Sequence, residues 1–187
     1  MGYFAVIDTE TNWIDQVMSI GIVIADTDTF ALADHRYYIL SPECDIGGMY
    51  EDRMIPDRRI QPIVCSRKIA MHELTQWMEQ YDICAMFAYN AAFDHNHLPE
   101  FSHLRWYDIM RLAAYRQYND KIPDCADCFS TGRLKRGYGV ESMLRLLSGN
   151  FSYRESHNAL YDAMDELKIM KLLCYRPDQY IPLPCKK

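Results

Sequence analysis

Apolar runs and turn signals alternate along the whole chain, with no internal repeat, low-complexity tract or evident linker between them. Residues 3–8 (YFAVID) predict a buried strand, closed by the polar stretch 9–12. The run 19–25 (SIGIVIA), rich in β-branched residues, predicts a second strand, and 26–29 reads as a turn. A third strand over 32–40 completes a meander. Residues 41–62 carry three prolines and the Gly47-Gly48 pair, which predicts an irregular surface excursion.

Over 66–81 the period lengthens to that of a helix, with Ile69, Leu74, Trp77 and Met78 toward one face. Residues 83–88 (ICAMFA) predict another short buried strand, followed by a short helix at 94–98 and a fifth strand at 104–107. Helical spacing returns at 109–118 and at 140–147, the latter with Gly149 as C-cap. The last helix is expected at 158–174, with Leu160, Ala163, Met164, Leu167, Met170 and Cys174 as its apolar stripe and Pro177 beyond its end. Strands first, then strands alternating with helices, predict an α/β fold. Its mixed sheet has a three-strand meander on one side, parallel strands on the other, and flanking helices.

Composition narrows the class. A chain of 187 residues, 49% hydrophobic and 25% charged, fits a single domain over 1–187, with a core of about 4–173 and a short tail at 176–187. No apolar run is long enough to cross a membrane, so no membrane partner is expected. The start MGYFAVIDTE does not read as a secretory signal, and seven scattered cysteines read as reduced thiols, so a cytoplasmic location is expected. Cys125 and Cys128 have the spacing of half a zinc knuckle, but no second pair is suitably placed, and Cys84 falls in a predicted buried strand; all three read as reduced thiols. The net charge of −6 argues against a protein that holds nucleic acid by bulk charge.

Three short elements carry candidate chemistry. On a strand, residues two apart share a face about 6.6 Å apart, so Phe4, Val6, Asp8 and Glu10 form a line that is apolar at its start and doubly anionic at its end. With no Lys or Arg nearby in sequence, the pair suggests a hard divalent cation, although Glu10 could also point to solvent from a loop. Asn90 to Asp94 (NAAFD) follows the strand ending at Ala88, where Asp94 could equally serve as a helix cap. His157 and Asp162 would stand about 140° apart on a continuous helix. They can cooperate only if His157 precedes the helix and Asp162 lies in its first turns; otherwise both are surface groups.

In this order and context the three elements resemble the motifs of the 3′–5′ exonucleases of the DEDD superfamily, whose proofreading subunits and oligoribonucleases share a ribonuclease H-like fold. Asp8-Thr9-Glu10 resembles the first motif, Asn90–Asp94 the second, and His157–Asp162 the third in its histidine (DEDDh) form. The resemblance spans about residues 4–173, with Tyr89 standing where a His often precedes the family's Asn. It implies that Asp8, Glu10, Asp94 and Asp162 bind two Mg²⁺ or Mn²⁺ and that His157 is the general base. The implied reaction is metal-dependent 3′–5′ hydrolysis of DNA or RNA, releasing nucleoside 5′-monophosphates. The implied partners are single-stranded 3′ ends.

Thr11, Asn12, Trp13 and Asn90 are the expected substrate contacts, Trp13 by stacking on a base or else as a core or rim aromatic. Arg53, Arg58, Arg59, Arg67 and Lys68 form one basic stretch and Arg133, Lys135 and Arg136 another. The second could reach backbone phosphates or be solvated loop charge. Some family members dimerise and some associate with polymerases; the sequence carries no independent sign of either. A nuclease-like fold that binds nucleic acid or a cation such as Ca²⁺ without turnover is the alternative reading. Two bound Mg²⁺ would move the formal charge from −6 to about −2.

Overall fold

A computed structural model of the chain describes residues 2–55 and 60–184. Its centre is a six-stranded sheet in the order β4-β3-β2-β1-β5-β6. Strands β1 (Tyr3–Thr11), β2 (Val17–Asp26) and β3 (Leu32–Leu40) form the antiparallel meander. On its far side β5 (Ala85–Ala88) joins β1 in parallel and β6 (Arg105–Asp108) joins β5 in parallel. A strand the sequence does not announce, β4 (Ile63–Cys65), pairs in parallel with Tyr38 to Leu40 at the other edge. Parallel strands therefore flank the meander on both sides.

Alternation along β1 divides the core. Ala5 and Ile7 face helix α1 (Arg67–Glu79), where Ala70, Met71, Leu74, Trp77 and Met78 are buried. Leu74, Trp77 and Met78 lie on the face where the sequence reading places them, whereas Ile69 is exposed and the first turn buries Ala70 and Met71 instead. Phe4 and Val6 face the opposite layer, formed by α4 (Val140–Ser148) and α5 (Ala159–Leu173). Gly149 ends α4 in the left-handed conformation, as a C-cap glycine should. Cys174 does the same for α5 and is exposed, so it leaves the predicted apolar stripe.

Two local expectations are corrected. The helix expected over 109–118 shrinks to α3 (Met110–Ala113). The chain turns away because the Ala114 carbonyl accepts from the Leu134 N–H (2.9 Å) and Tyr115 bridges to Arg133. Cys84 lies just before β5 rather than inside it, and is exposed. The short helix after β5 is α2 (Ala92–His97).

One glycine sets the spacing of sheet and helix. Gly21 is paired with Asp8 across β1 and β2. A Cβ on it would stand 2.1 Å from the Ala159 carbonyl carbon and from the Leu160 nitrogen. Only a residue without a side chain lets the first turn of α5 rest directly on the sheet, and that contact brings Asp162 to the end of β1.

Candidate active site

Asp8 and Glu10 occupy the end of β1 on the α5 side, where Asp162 enters from the first turn of the helix. One carboxylate oxygen from each of Asp8, Glu10 and Asp162 lies within 4.8 Å of the other two. Asp94, in the first turn of α2, stands beside this trio; its Oδ1 accepts a hydrogen bond from Thr9 Oγ1 (2.8 Å). Its charge still acts on both Asp8 and Glu10, so it faces the same space.

His157 lies on the loop immediately before α5, in the left-handed region at φ 53°, with Asn158 as N-cap. A non-glycine residue held there is strained and needs a surrounding structure to keep it. Asn158 supplies part of that frame. Its Oδ1 caps Tyr161 N–H (3.3 Å), and its Nδ2 donates to Tyr37 Oη (2.9 Å) and to the Arg53 carbonyl (2.9 Å). The excursion after β3 is thus tied to the base of α5, and Tyr50 lays its ring flat on the His157 imidazole, with centroids 4.1 Å apart. His157 also groups with Glu155 and Asp162 within 4.8 Å.

The electrostatics are one-sided. Burial pushes Glu10 up to about 7, with the charges of Glu155 and Asp94 adding to the effect. Burial likewise raises Asp162 to about 8, helped by Glu155 and Glu10, and raises Asp94 to about 7 against the hydrogen bond from Thr9. Asp8 is pushed well above the usual carboxylate range by burial and then by Glu166, Asp94, Asp162 and Glu10. No Lys or Arg relieves Asp8, Glu10 or Asp162 among the described residues. His157 moves the other way: burial, then the nearby Arg53, lowers it and keeps the imidazole neutral near pH 7.

Two further carboxylates belong to this surround. Glu166 follows Asp162 by one helical turn, is 1% exposed, and accepts the Tyr89 N–H (3.0 Å) at the end of β5. Glu155 precedes His157, and its N–H donates to Glu141 Oε2 (3.0 Å) at the start of α4. A Glu spaced as part of the apolar stripe of α5 was the available signal for Glu166; Glu155 left none in a polar loop. Asp108, at the end of β6, accepts from the N–H groups of Asn90 and Met110 (3.0 Å each) and fixes the turn that leads to α2.

The remaining expected contacts fall in different places. Asn12 is buried, and its Oδ1 accepts from the N–H groups of Ile14 (3.1 Å) and Gln16 (3.0 Å) while its Nδ2 donates to the Glu43 carbonyl (3.0 Å). It organises the β1–β2 turn. Trp13, by contrast, is 66% exposed at the tip of that turn, and its N–H donates to the Gly47 carbonyl (3.0 Å). Thr11 follows a register shift in β1, and Asn90 is exposed at φ 60° beside α2. Of the first basic stretch, Arg58 and Arg59 lie outside the described residues, while Arg67 is held by Glu100 (2.8 Å). Neither group of residues able to hold an ion, among those described, includes Cys125 or Cys128.

The oxygen-only donors of Asp8, Glu10 and Asp162, gathered with no Lys or Arg to offset them among the described residues, suit a hard divalent ion such as Mg²⁺ or Mn²⁺ better than zinc. No family model and no curated protein matches the sequence. Solved structures do. The nuclease domain of 3′hExo, a DEDDh family member bound to rAMP, is similar with a TM-score of 0.68 at 14% identity, over 98% of this chain and 97% of that one. Exonuclease X in complex with 5′ overhanging duplex DNA gives 0.56 at 19% identity, over 94% and 96%. E. coli Exonuclease I with a dA16 oligonucleotide gives 0.61 at 14% identity, over 96% of this chain but 42% of that longer one. The chain therefore has the ribonuclease H-like α/β fold found in DEDDh 3′-exonucleases.

Proposed function

We propose that the protein is a metal-dependent 3′–5′ exonuclease acting on nucleic-acid ends. The observation that carries this reading is the trio Asp8, Glu10 and Asp162, with Asp94 alongside, held as partly or fully buried like charges that only bound cations or protons can offset. Asp8, Glu10, Asp94 and Asp162 are the residues that would hold two Mg²⁺ or Mn²⁺. Such a pair supplies, when bound, charge stabilisation for the attacking and leaving oxygens of a phosphodiester displacement.

The chain's own groups do the rest. His157, neutral and beside Asp162, accepts the proton of the attacking water on an imidazole nitrogen, a role worth about 10²–10⁴-fold. Burial of the carboxylates keeps bulk water from screening the charges around the phosphate. The exposed indole of Trp13 offers a face for the terminal base. The likeness to 3′hExo, Exonuclease X and Exonuclease I supports the same reading at the level of the fold.

The test is incubation with 3′- and 5′-labelled single strands of DNA and RNA in Mg²⁺, Mn²⁺ or EDTA. The expected result is stepwise shortening from the 3′ end that requires metal and releases 5′-monophosphates. His157→Ala should lose about 10²–10⁴-fold in rate while keeping its metal-induced rise in melting temperature. Internal cleavage, or shortening indifferent to EDTA, would overturn the mechanism. Metal-dependent stabilisation without hydrolysis would leave a cation-binding module instead.

A further inference from the structure

Between α3 and α4 the chain runs through residues 114–139 without a helix or a regular strand, yet backbone hydrogen bonds pin it closely. The Phe129 N–H reaches the Arg133 carbonyl (2.8 Å), Lys135 N–H the Asp127 carbonyl (3.0 Å) and Arg116 N–H the Gly132 carbonyl (3.0 Å), while Leu134 is buried beneath. What this framework presents outward is aromatic and cationic. The Arg133 guanidinium lies between two exposed rings, 5.0 Å from the centre of Phe129 and 5.1 Å from that of Tyr138. Lys135 stands 5.9 Å from the Phe129 ring and pairs with Asp127 at 2.9 Å. Neither Arg133 nor Arg136 has a carboxylate partner among the described residues.

The surface begins at the rim of the site. Tyr89, whose N–H is held by Glu166, donates its hydroxyl proton to the Tyr138 carbonyl. Three residues after Tyr138, Glu141 receives the Glu155 N–H beside His157. These contacts place Tyr138 beside the rim of the site, and Arg133 links its ring to that of Phe129. Flat exposed rings separated by an unpaired guanidinium match a nucleic-acid strand chemically: bases have π-faces for Phe129 and Tyr138, and a phosphate can take the free edge of Arg133. A peptide or an acidic metabolite would use the charge but not two rings in sequence. The rings also demand bases that are free to unstack, which favours a single strand over a duplex.

We propose that Phe129, Arg133, Tyr138 and Arg136 form a platform that grips the single strand upstream of the terminal nucleotide, so that the preferred substrate is several nucleotides long. The inference rests on the exonuclease reading and deepens it. It assigns strand-length preference to a loop outside the carboxylate site, and it explains how a chain of net charge −6 could hold a polyanion locally.

Two measurements test it. In the first, hydrolysis of a single strand of about 12 nucleotides is compared with that of a dinucleotide, for wild type, Phe129→Ala/Arg133→Gln and Arg136→Gln. Wild type should favour the longer strand, and the double variant should erase roughly tenfold or more of that advantage. Arg136→Gln, a change at an exposed side chain, should erase less and serves where the double variant fails to fold. The second measurement is fluorescence anisotropy of the labelled strand in EDTA over a range of salt. Loss of Arg133 should weaken binding and flatten the salt dependence by about one phosphate contact.

Equal length preference in wild type and variants, or tighter binding of duplex than of single strand, overturns the platform. If wild type hydrolyses nothing, the exonuclease reading fails, and the anisotropy still decides whether Arg133 and Phe129 bind a strand.

Discussion

The two faces of the sheet are built from alternate residues of the same strand, and they are held together differently. Toward α1, Ala5 and Ile7 meet Leu74, Trp77 and Met78 in a layer closed by apolar contact. Toward α5, Phe4 and Val6 begin the same kind of layer, but Asp8, Asp162 and Glu166 are packed into its end. The first face gains from every group it buries. The second buries like charges that repel one another, a cost carried by the rest of the fold and relieved by protons or cations. Stability and chemistry are thus separated across one strand, and substitutions on the two faces should move them in different directions.

The largest expected effect is on the charged face. Asp8→Asn should lower metal-dependent hydrolysis by about 10³-fold or more, since it removes several kcal/mol of charge stabilisation at the phosphate. The same change should raise the melting temperature of the metal-free protein by a few degrees, because one of the mutually repelling groups is gone. Calorimetry in EDTA beside an activity assay reads both. A variant that loses activity and stability together would mean that Asp8 is a structural residue.

On the apolar face Leu74→Ala should cost about 2–5 kcal/mol, the same with and without Mg²⁺. Gly21→Ala joins the two behaviours. Its methyl would collide with the backbone of Ala159 and Leu160, so a loss of about 1–3 kcal/mol or more is expected, together with weaker metal binding as α5 lifts from Asp8. Melting curves with and without Mg²⁺ separate the pair; equal metal-induced shifts in both variants would show that Gly21 does not set the site.

The faces should also differ in pH dependence. Glu10, Asp94 and Asp162 titrate near 7, 7 and 8 in the folded chain, against about 4 when unfolded. The folded state therefore holds the extra protons, and the stability these groups contribute is full below about pH 4 and lost as pH rises through 7–8. The metal-free melting temperature should fall between pH 5.5 and 8.5, and Mg²⁺ should raise it more at the upper end, where the carboxylates are ionised. A flat metal-free profile, or a larger Mg²⁺ effect at pH 5.5, would contradict the charges described here.

The same contrast explains what could be read from the chain alone. The meander, α5, the shared face of Asp8 and Glu10, and the placement of His157 before the helix all follow from period and spacing, because alternate residues of β1 face opposite layers and α5 carries a regular apolar stripe. Glu155 does not, since a Glu in a polar loop reads as solvated until the fold surrounds it, and for Glu166 the spacing with the apolar stripe of α5 is offset by a residue type that ordinarily faces solvent. Asn12 looked like a loop residue open to substrate, but four hydrogen-bonding groups of the β1–β2 turn and its surroundings converge on its amide. Strand β4 is only the three residues Ile63 to Cys65, an apolar run too short to stand out between the irregular excursion and α1; its pairing with β3 defines it. The shortened α3 was decided by Leu134, a partner 20 residues beyond Ala114.

The smallest expected effect concerns how the base is aimed. The His157 ring has no hydrogen-bond partner among the described residues and is held instead by the Tyr50 ring, stacked 4.1 Å away at an interplanar angle of 9°. An aromatic pair of this kind contributes about 0.5–1.5 kcal/mol, equivalent to roughly tenfold in rate if it serves only to orient the imidazole. Tyr50→Ala should therefore lower kcat by about tenfold with little change in KM, while Tyr50→Phe, which keeps the ring, should stay near wild type. The ring-proton resonances of His157 should move downfield in the Ala variant as the neighbouring ring current disappears, and remain in place in the Phe variant. If Ala and Phe behave alike, the stack is incidental and the left-handed backbone at His157, with the Asn158 cap behind it, must fix the imidazole by itself. That outcome would shift the orientation of the base from the excursion after β3 to the N-terminus of α5.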